Sequence, residues 1–384
     1  LITVGTGPIR GFATTLVIGI FTSLFSAIFI TRLIFERWLS KDRKINFSTK
    51  ITAGAFKDLQ IKFLEKRKVF YIVSGILILA SVGSLLTRSL SLGVDFSGGR
   101  TYVVRFDENV STEDITKALA TPFGSEPQVK TYGGEDQVKI TTKYLIDSED
   151  PNADNLVETA LFEGLKTFLP SDIDQEEFLY DDHYLQNSHL VGPTIADDII
   201  KSAIISVILA LLVIFLYIML RFRTWQYGLG AVAALFHDVI IVLGVFSLFY
   251  SIMPFSLEID QAFIAAILTV VGYSINDTVV VFDRVREFIG LYPKRERLSI
   301  MNQALNSTLS RTFSTSLSTF IVLLAIFIFG GVSIRGFIFA MMVGVVIGTY
   351  SSLFIATPIV YDLVKKVKEP VKEVGAGKGK SKKK

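Results

Sequence analysis

The sequence predicts a polytopic α-helical membrane protein: seven helices that cross the bilayer and one extracytoplasmic α+β domain. Three observations predict it. Half of the 384 residues are hydrophobic and only a fifth are charged, and the mean hydropathy is +0.49, a balance unlike that of ordinary soluble domains. The apolar residues gather in seven runs long enough for a hydrocarbon core about 30 Å thick, which takes roughly 20 residues of helix. The charges are segregated by sign. Residues 88–199 hold 22 acidic against eight basic side chains, while Lys and Arg concentrate in 35–68, at 221–223, in RVREFIGLYPKRER and in the tail KGKSKKK.

The seven runs lie at about 11–34, 69–87, 200–221, 226–250, 262–282, 313–329 and 336–362. The first is too long, and too rich in Gly, Thr and Ser, for a cleaved signal peptide, and no small-residue cleavage site follows it. Cytoplasmic flanks collect Lys and Arg. The crossings therefore alternate with residues 1–10 and 88–199 outside and the C-terminal tail inside. The expected organisation is a helix at 1–36, a basic linker at 37–68, a helix at 69–87, the acidic domain at 88–199, a five-helix bundle at 200–365 and a basic, disordered tail at 366–384. The tail is read as a solvated segment.

Between the second and third helices the pattern changes to short alternating runs. TYVVRF is a predicted strand and STEDITKALA a helix with a capping serine. PQVKTY and QVKITTKY are strands around Gly-Gly, DNLVETALFEGLKTFL is a helix, and EEFLYDD is the last strand. Period-2 alternation marks the strands and i, i+3, i+4 spacing the helices. The order β-α-β-β-α-β is that of a ferredoxin-like sandwich.

Much chemistry is excluded. The chain has no cysteine, so disulfides and thiolate chemistry are absent, and its three histidines (His183, His189, His237) are scattered. No phosphate-binding loop and no nucleophile–base pair is present, so no cofactor and no enzymatic activity is expected. The basic loops read as topology signals and not as a nucleic-acid surface.

What remains is charge inside the membrane, which costs several kcal/mol and marks function by default. Asp277 sits in VVGYSINDTVVVF beside Asn276 and Thr278. Asp238 sits mid-helix in ALFHDVIIVLG, next to His237, and Arg311 lies in STLSRTFSTSLSTF. At about 1.5 Å rise per residue the depths of Asp277 and Arg311 can match, and pairing would lower the cost of Asp277. Loss of such a partner would make Asp277 protonatable. The competing reading is static polar glue between helices, and for Arg311 an interfacial, snorkelling side chain. Gly344 and Gly348 form a GxxxG read as close helix packing. In VDFSGGR, Gly98 and Gly99 permit a tight turn that Asp95 would cap or anchor.

The chain also repeats itself. IRGFATTLVIGIFTSLFSAIFITRLI (9–34) aligns without gaps on IRGFIFAMMVGVVIGTYSSLFIATPI (334–359) at an offset of 325, with nine of 26 positions identical. Apolar helices align by chance, but a shared Ile-Arg-Gly-Phe entry is not generic membrane filler. A repeat of this length fits a transporter built from two related halves, with the first helix closing the preceding half.

VDFSGGR, VGPTIADD, ALFHDV, GYSINDTVVVFDRVRE and LSRTFSTSLSTF closing on FGG occur in this order over residues 55–365. Together they resemble SecF-type protein-translocase subunits of the resistance–nodulation–division superfamily, and the opening segment resembles the end of a SecD-type half. The resemblance implies an accessory component of protein export in the bacterial cytoplasmic (inner) membrane, with protons as the coupling ion. It implies a SecD-like half in the same polypeptide, the SecYEG channel, unfolded preprotein, membrane lipid and other Sec accessory subunits as partners, and no nucleic acid. By the same resemblance Asp277 and Arg311 belong to the proton path, with Asp238 and Asn276 as further candidates. The alternatives are a proton-driven lipid or small-molecule transporter, which the small outer domain disfavours, and a non-transporting scaffold of the translocon.

Overall fold

A computed structural model describes residues 7–41, 60–148, 150–331 and 334–367. Most of the expected basic linker, and the expected disordered tail beyond 367, lie outside the described residues.

Among them, seven helices are long and apolar enough to cross a membrane. The first is α1 (Gly7–Phe25), continued through a π-helical stretch, Ser26–Ile30, into α2 (Thr31–Leu39). The second is α3 (Arg67–Arg88), from which the chain enters the one-turn α4 (Val94–Ser97) and then a sheet domain. That domain contains β1 (Gly99–Arg105), α5 (Thr112–Ala120), β2 (Gln128–Tyr132), β3 (Gly134–Thr142), α6 (Ala153–Leu165), α7 (Gln175–Tyr180) and β4 (Leu185–Val191). The remaining crossings are α8 (Pro193–Phe222), α9 (Trp225–Phe249), α10 (Gln261–Leu291), α11 (Arg297–Phe329), and α12 (Arg335–Ser351), which continues through a π-helical Ser352–Ala356 into α13 (Thr357–Val367).

The strands stand in the order β2-β3-β1-β4 and every neighbouring pair is antiparallel. Successive residues of a strand face opposite sides, and β1 and β3 use this fully. Tyr102, Val104, Val138 and Ile140 turn into a core closed by Ile115 and Leu119 of α5 and Val157 and Leu161 of α6. The other face carries Thr101, Val103 and Lys139, and looks onto the end of the helix bundle. Ser111 caps α5, accepting from the Asp114 amide at 3.4 Å.

One predicted strand is a helix. EEFLYDD forms α7, because Asp174 Oδ1 accepts from the Glu177 amide at 2.8 Å and Glu176 and Glu177 sit in the first turn, where negative charge suits the helix dipole. The fourth strand is LQNSHLV, which pairs along β1 from Gly99↔Val191. Two helices also start earlier than hydropathy suggests. α8 opens at Pro193, a residue suited to the first turn, so the sheet domain ends near 192. α11 opens at Arg297 and not at 313. Its first half is polar by count but amphipathic by position: Met301, Ala304, Leu305 and Leu309 pack with Phe63 and Leu64 of the segment before α3. Asn302 and Asn306 tie that segment's backbone to α11, accepting from the amides of Leu64 at 3.0 Å and Ile61 at 2.8 Å.

Candidate functional site

Four helices meet around Asp238 and its neighbour His237. Along α9 the buried positions recur as Ala231, Ala234, Leu235, Asp238, Ile241 and Val242, the stripe of a helix with one face inward. Asp238 occupies a place on that stripe where an apolar side chain would be routine. It is 0% exposed, and a carboxyl there needs hydrogen bonds. Oδ1 lies 3.0 Å from His237 Nδ1. Oδ2 accepts from Ser274 Oγ of α10 at 2.7 Å and from Ser351 Oγ of α12 at 2.8 Å. The network continues outward: His237 Nε2 lies 3.1 Å from Ser74 Oγ of α3, and Ser74 lies 3.0 Å from the Tyr350 hydroxyl.

Asp277 forms a second node three residues after Ser274 on the same face of α10. It is half-buried. Its Oδ1 accepts from Thr312 Oγ1 of α11 at 2.9 Å and its Oδ2 from Ser352 Oγ at 2.7 Å. Nearby, Tyr273 OH donates to Ser316 Oγ at 3.2 Å, and Thr349 Oγ1 donates to the same atom at 2.6 Å. Both carboxyls are thus held by hydroxyls, and the last crossing serves both through the adjacent Ser351 and Ser352. These two residues stand where α12 passes into its π-helical stretch, a local widening common at functional sites.

The close approach that permits this comes from the GxxxG. A Cβ on Gly344 would run into Val270, and one on Gly348 would meet Ser274 Cβ at 3.0 Å. Small residues let two membrane helices approach closely, which brings the hydroxyls of α12 within reach of both acids.

Asp277 and Arg311, whose depths can match, do not form an ion pair. Arg311 is exposed, and the Asp277 carboxyl accepts hydrogen bonds from the hydroxyls of Thr312 and Ser352. The reason is helical geometry: successive residues are about 100° apart around the axis, so α11 can offer Asp277 either position 311 or position 312, and it offers Thr312. Asn276 is exposed for the same reason, one step around α10 from Asp277.

The VDFSGGR segment lies at the sheet end of the bundle, away from these acids. Asp95 does not close its own turn. It reaches a helix far along the chain, its Oδ2 accepting from the Gln261 amide at the start of α10 at 3.0 Å. Gly98 (φ +64°) and Gly99 (φ +136°) both need glycine, and a Cβ on Gly99 would stand 2.9 Å from the Thr142 carbonyl oxygen.

Ser74, Ser274, Thr312, Ser351 and Ser352 were not among the sequence candidates. The available signal was the spacing of hydroxyls inside apolar helices, such as Thr308, Thr312 and Ser316 at intervals of four. Serine and threonine are too common in membrane helices for that spacing to single them out. Among the described residues no three His, Cys, Asp or Glu side chains gather as a metal site.

The sequence and the fold have known relatives. Residues 174–366 match the model for the C-terminal part of the protein export membrane proteins SecD/SecF, and residues 83–110 match the SecD/SecF GG motif. The chain is 46% identical over 309 residues to the protein translocase subunit SecF of Rhodothermus marinus, covering 80% of this chain and 94% of that one. It is 35% identical over 324 residues to the Haemophilus influenzae SecF, covering 84% and 92%. Against the Brucella abortus SecDF the identity is 31% over 380 residues, 96% of this chain but 46% of the relative. Among solved structures, a Thermus SecDF, described as a translocon-associated membrane protein, superposes with a TM-score of 0.78 at 29% identity, covering 95% of this chain and 46% of that one.

Proposed function

Because this chain belongs to the SecD/SecF family of protein export membrane proteins, we propose that it is a SecF-type accessory unit of the Sec machinery that uses the proton-motive force to assist preprotein translocation. On this reading it lies in the bacterial cytoplasmic membrane, with its sheet domain, a ferredoxin-like unit, on the outer face. Its partners are a SecD-type half, the SecYEG channel, other Sec accessory subunits and the emerging unfolded polypeptide. The SecDF relatives, of which this chain spans less than half, support the first of these.

The observation that carries the proton role is how Asp277 is held. Two neutral hydroxyls, from α11 and from the last crossing, are its hydrogen-bond partners. A carboxylate without a fixed counter-charge is free to take up a proton. Once protonated it becomes a donor at one oxygen, so Thr312 or Ser352 turns away or reverses its bond, and the contact of α10 with α11 or with the last crossing changes. Arg311, next to Thr312, is the cation that swings toward the ionised form and away from the protonated one. Asp238, with His237, is the deeper station of the same polar seam. Each proton falling through the membrane potential supplies about 2.3 kcal/mol per 100 mV, enough to exchange one or two hydrogen bonds.

The test is Asp277→Asn in the full-length protein at normal membrane levels, with export of a pulse-labelled precursor followed with and without a protonophore. Slow export to which the protonophore adds little further delay places Asp277 on the coupling path. Export that matches the parent in rate and in protonophore response would falsify the proton role and favour the scaffold reading.

A further inference from the structure

The sheet domain meets the helix bundle through charge. The α9–α10 connection carries Glu258, whose side chain is 6% exposed. Two strands reach it from above. Lys130 Nζ of β2 lies 3.2 Å from Oε1, and Lys139 Nζ of β3 bonds Oε2. Lys130 also donates to Ser91 Oγ, in the segment after α3, at 2.9 Å. A third strand adds His189, whose Nε2 lies 3.5 Å from Asp95 Oδ1. Beneath these charges the bundle is stitched to itself. Leu92 and Ile259 form a parallel bridge, with Gly93 N to Ile259 O at 2.9 Å and Ile259 N to Ser91 O at 2.8 Å. The exit of α3 and the entry of α10 therefore move as one piece, and the sheet rests on that piece through Lys130, Lys139 and His189.

The character of this joint differs from that of the cores on either side. The strand face turned to the bundle mixes polar and apolar side chains, and beside the ion pairs lies a cleft of about 330 Å³ lined by Asp95, Asn187, His189 and Asp260 together with Val94 and Val103. Where the chain passes between the two bodies the contact is apolar, with Val191 of β4 in one cluster with Val94, Phe96 and Ala196, so the ion-paired edge is the part of the joint expected to move. Buried ion pairs suit such a joint: their attraction is largely offset by desolvation, so they fix geometry more than they add stability. From this joint α10 runs without a break to the proton-binding candidate. Asp260 accepts from the Phe263 amide at 2.7 Å as its cap, and Asp277 lies 17 residues on, about 25 Å at 1.5 Å per residue.

We propose that Glu258 is a positioning residue: its clamp by Lys130 and Lys139 is a separable joint that passes movement of α10 to the sheet domain, opening and reclosing in each working cycle. The inference rests on the proton-coupled reading of Asp277. Chemically, the joint exchanges two protein–protein ion pairs for hydrated charges and back, with no covalent change.

This chain has no cysteine, so Asn187→Cys on the sheet with Gln261→Cys at the start of α10, which line the same cleft and leave Glu258, Lys130 and Lys139 in place, adds a thiol pair that a short, reducible bis-methanethiosulfonate can bridge. In the full-length protein the bridged form is expected to lose the protonophore-sensitive phase of export and to regain it on reduction. Each single cysteine variant treated with the same reagent is expected to keep that phase. A bridged protein that exports like its reduced form would overturn the proposal. A second readout separates a moving joint from a static support. Spin labels at Glu163→Cys and Ile252→Cys straddle the joint, and Asp277→Asn, which imitates the protonated side chain, is expected to shift their distance distribution. Unchanged distances would sink the inference even with Asp277→Asn defective in export. Unimpaired export by Asp277→Asn would instead sink the function on which the inference rests.

Discussion

At the scale of the residue, each of the two carboxyls is satisfied by neighbours that lie far away in sequence. Asp238 accepts from α10 and α12 as well as from its own neighbour His237, so Asp238→Leu leaves three donors facing an apolar group. Each unmatched buried donor costs about 1–3 kcal/mol. The leucine variant should therefore show a clearly lower unfolding temperature in detergent, and Asp238→Asn, which keeps one acceptor oxygen, a smaller loss. Equal stability of all three proteins would mean that the network adds nothing to the fold. Glu258, outside the crossings, makes a prediction about pH. Burial by itself would raise its pKa, but Lys139 and Lys130 outweigh burial and hold the carboxyl below its usual range. The folded state thus favours the ionised form. The stabilisation is present above the ordinary carboxylate value and is lost as pH falls through the depressed one. Asp260 is shifted the other way, first by burial and then by the nearby charge of Asp95, against the opposing Phe263 amide. Its ionisation disfavours the folded state, so acidification relieves Asp260 while it works against the clamp on Glu258. Label distances across the joint should hold through mild acid and widen only at lower pH, and Glu258→Gln should abolish that late transition. Persistence of the transition in Glu258→Gln would assign it to another group.

At the scale of the element, α10 and α12 are the packed pair on which the site depends. Gly344→Val inserts a side chain against Val270, and overpacking of this kind typically costs about 1–3 kcal/mol. It should lower thermal stability and, by parting the helices, weaken export as Asp277→Asn does. Gly272→Ala on the outward side of α10 meets nothing within 4 Å and should be neutral in both assays. The reverse ranking would mean that the α10–α12 approach is not what holds the hydroxyls in place. The first and last crossings also share a detail. Their π-helical stretches begin at Ser26 and Ser352, 326 positions apart, against an offset of 325 for the sequence repeat. A helix that carries the same distortion at nearly the same place is harder to attribute to generic apolar composition than sequence identity alone.

At the scale of the whole molecule, charge asymmetry makes a prediction about orientation, and a sequence without cysteine makes it easy to measure. Asp172→Cys on the sheet domain should react with a membrane-impermeant maleimide in intact spheroplasts, and Lys294→Cys, between α10 and α11, only after permeabilisation. Labelling with the opposite preference would invert the topology. Much of the architecture was legible from local chemistry: seven apolar runs locate seven crossings, because burying helical backbone in hydrocarbon demands an uninterrupted apolar stretch. The three strands from TYVVRF to QVKITTKY were legible from period 2, and the acids at 238 and 277 from their cost in such stretches. The sequence misled where two local signals compete. EEFLYDD alternates like a strand but is capped like a helix, and the first half of α11 is polar by count yet amphipathic by position. What a single sequence determined here is which segments cross the membrane and which side chains are expensive there. Only the tertiary structure decided which groups meet those side chains, that Asp277 faces Thr312 and not Arg311, and that Glu258 takes two lysines from separate strands. Composition and periodicity act along one chain segment, whereas a hydrogen bond or ion pair depends on the rotation and register of two segments brought together by packing.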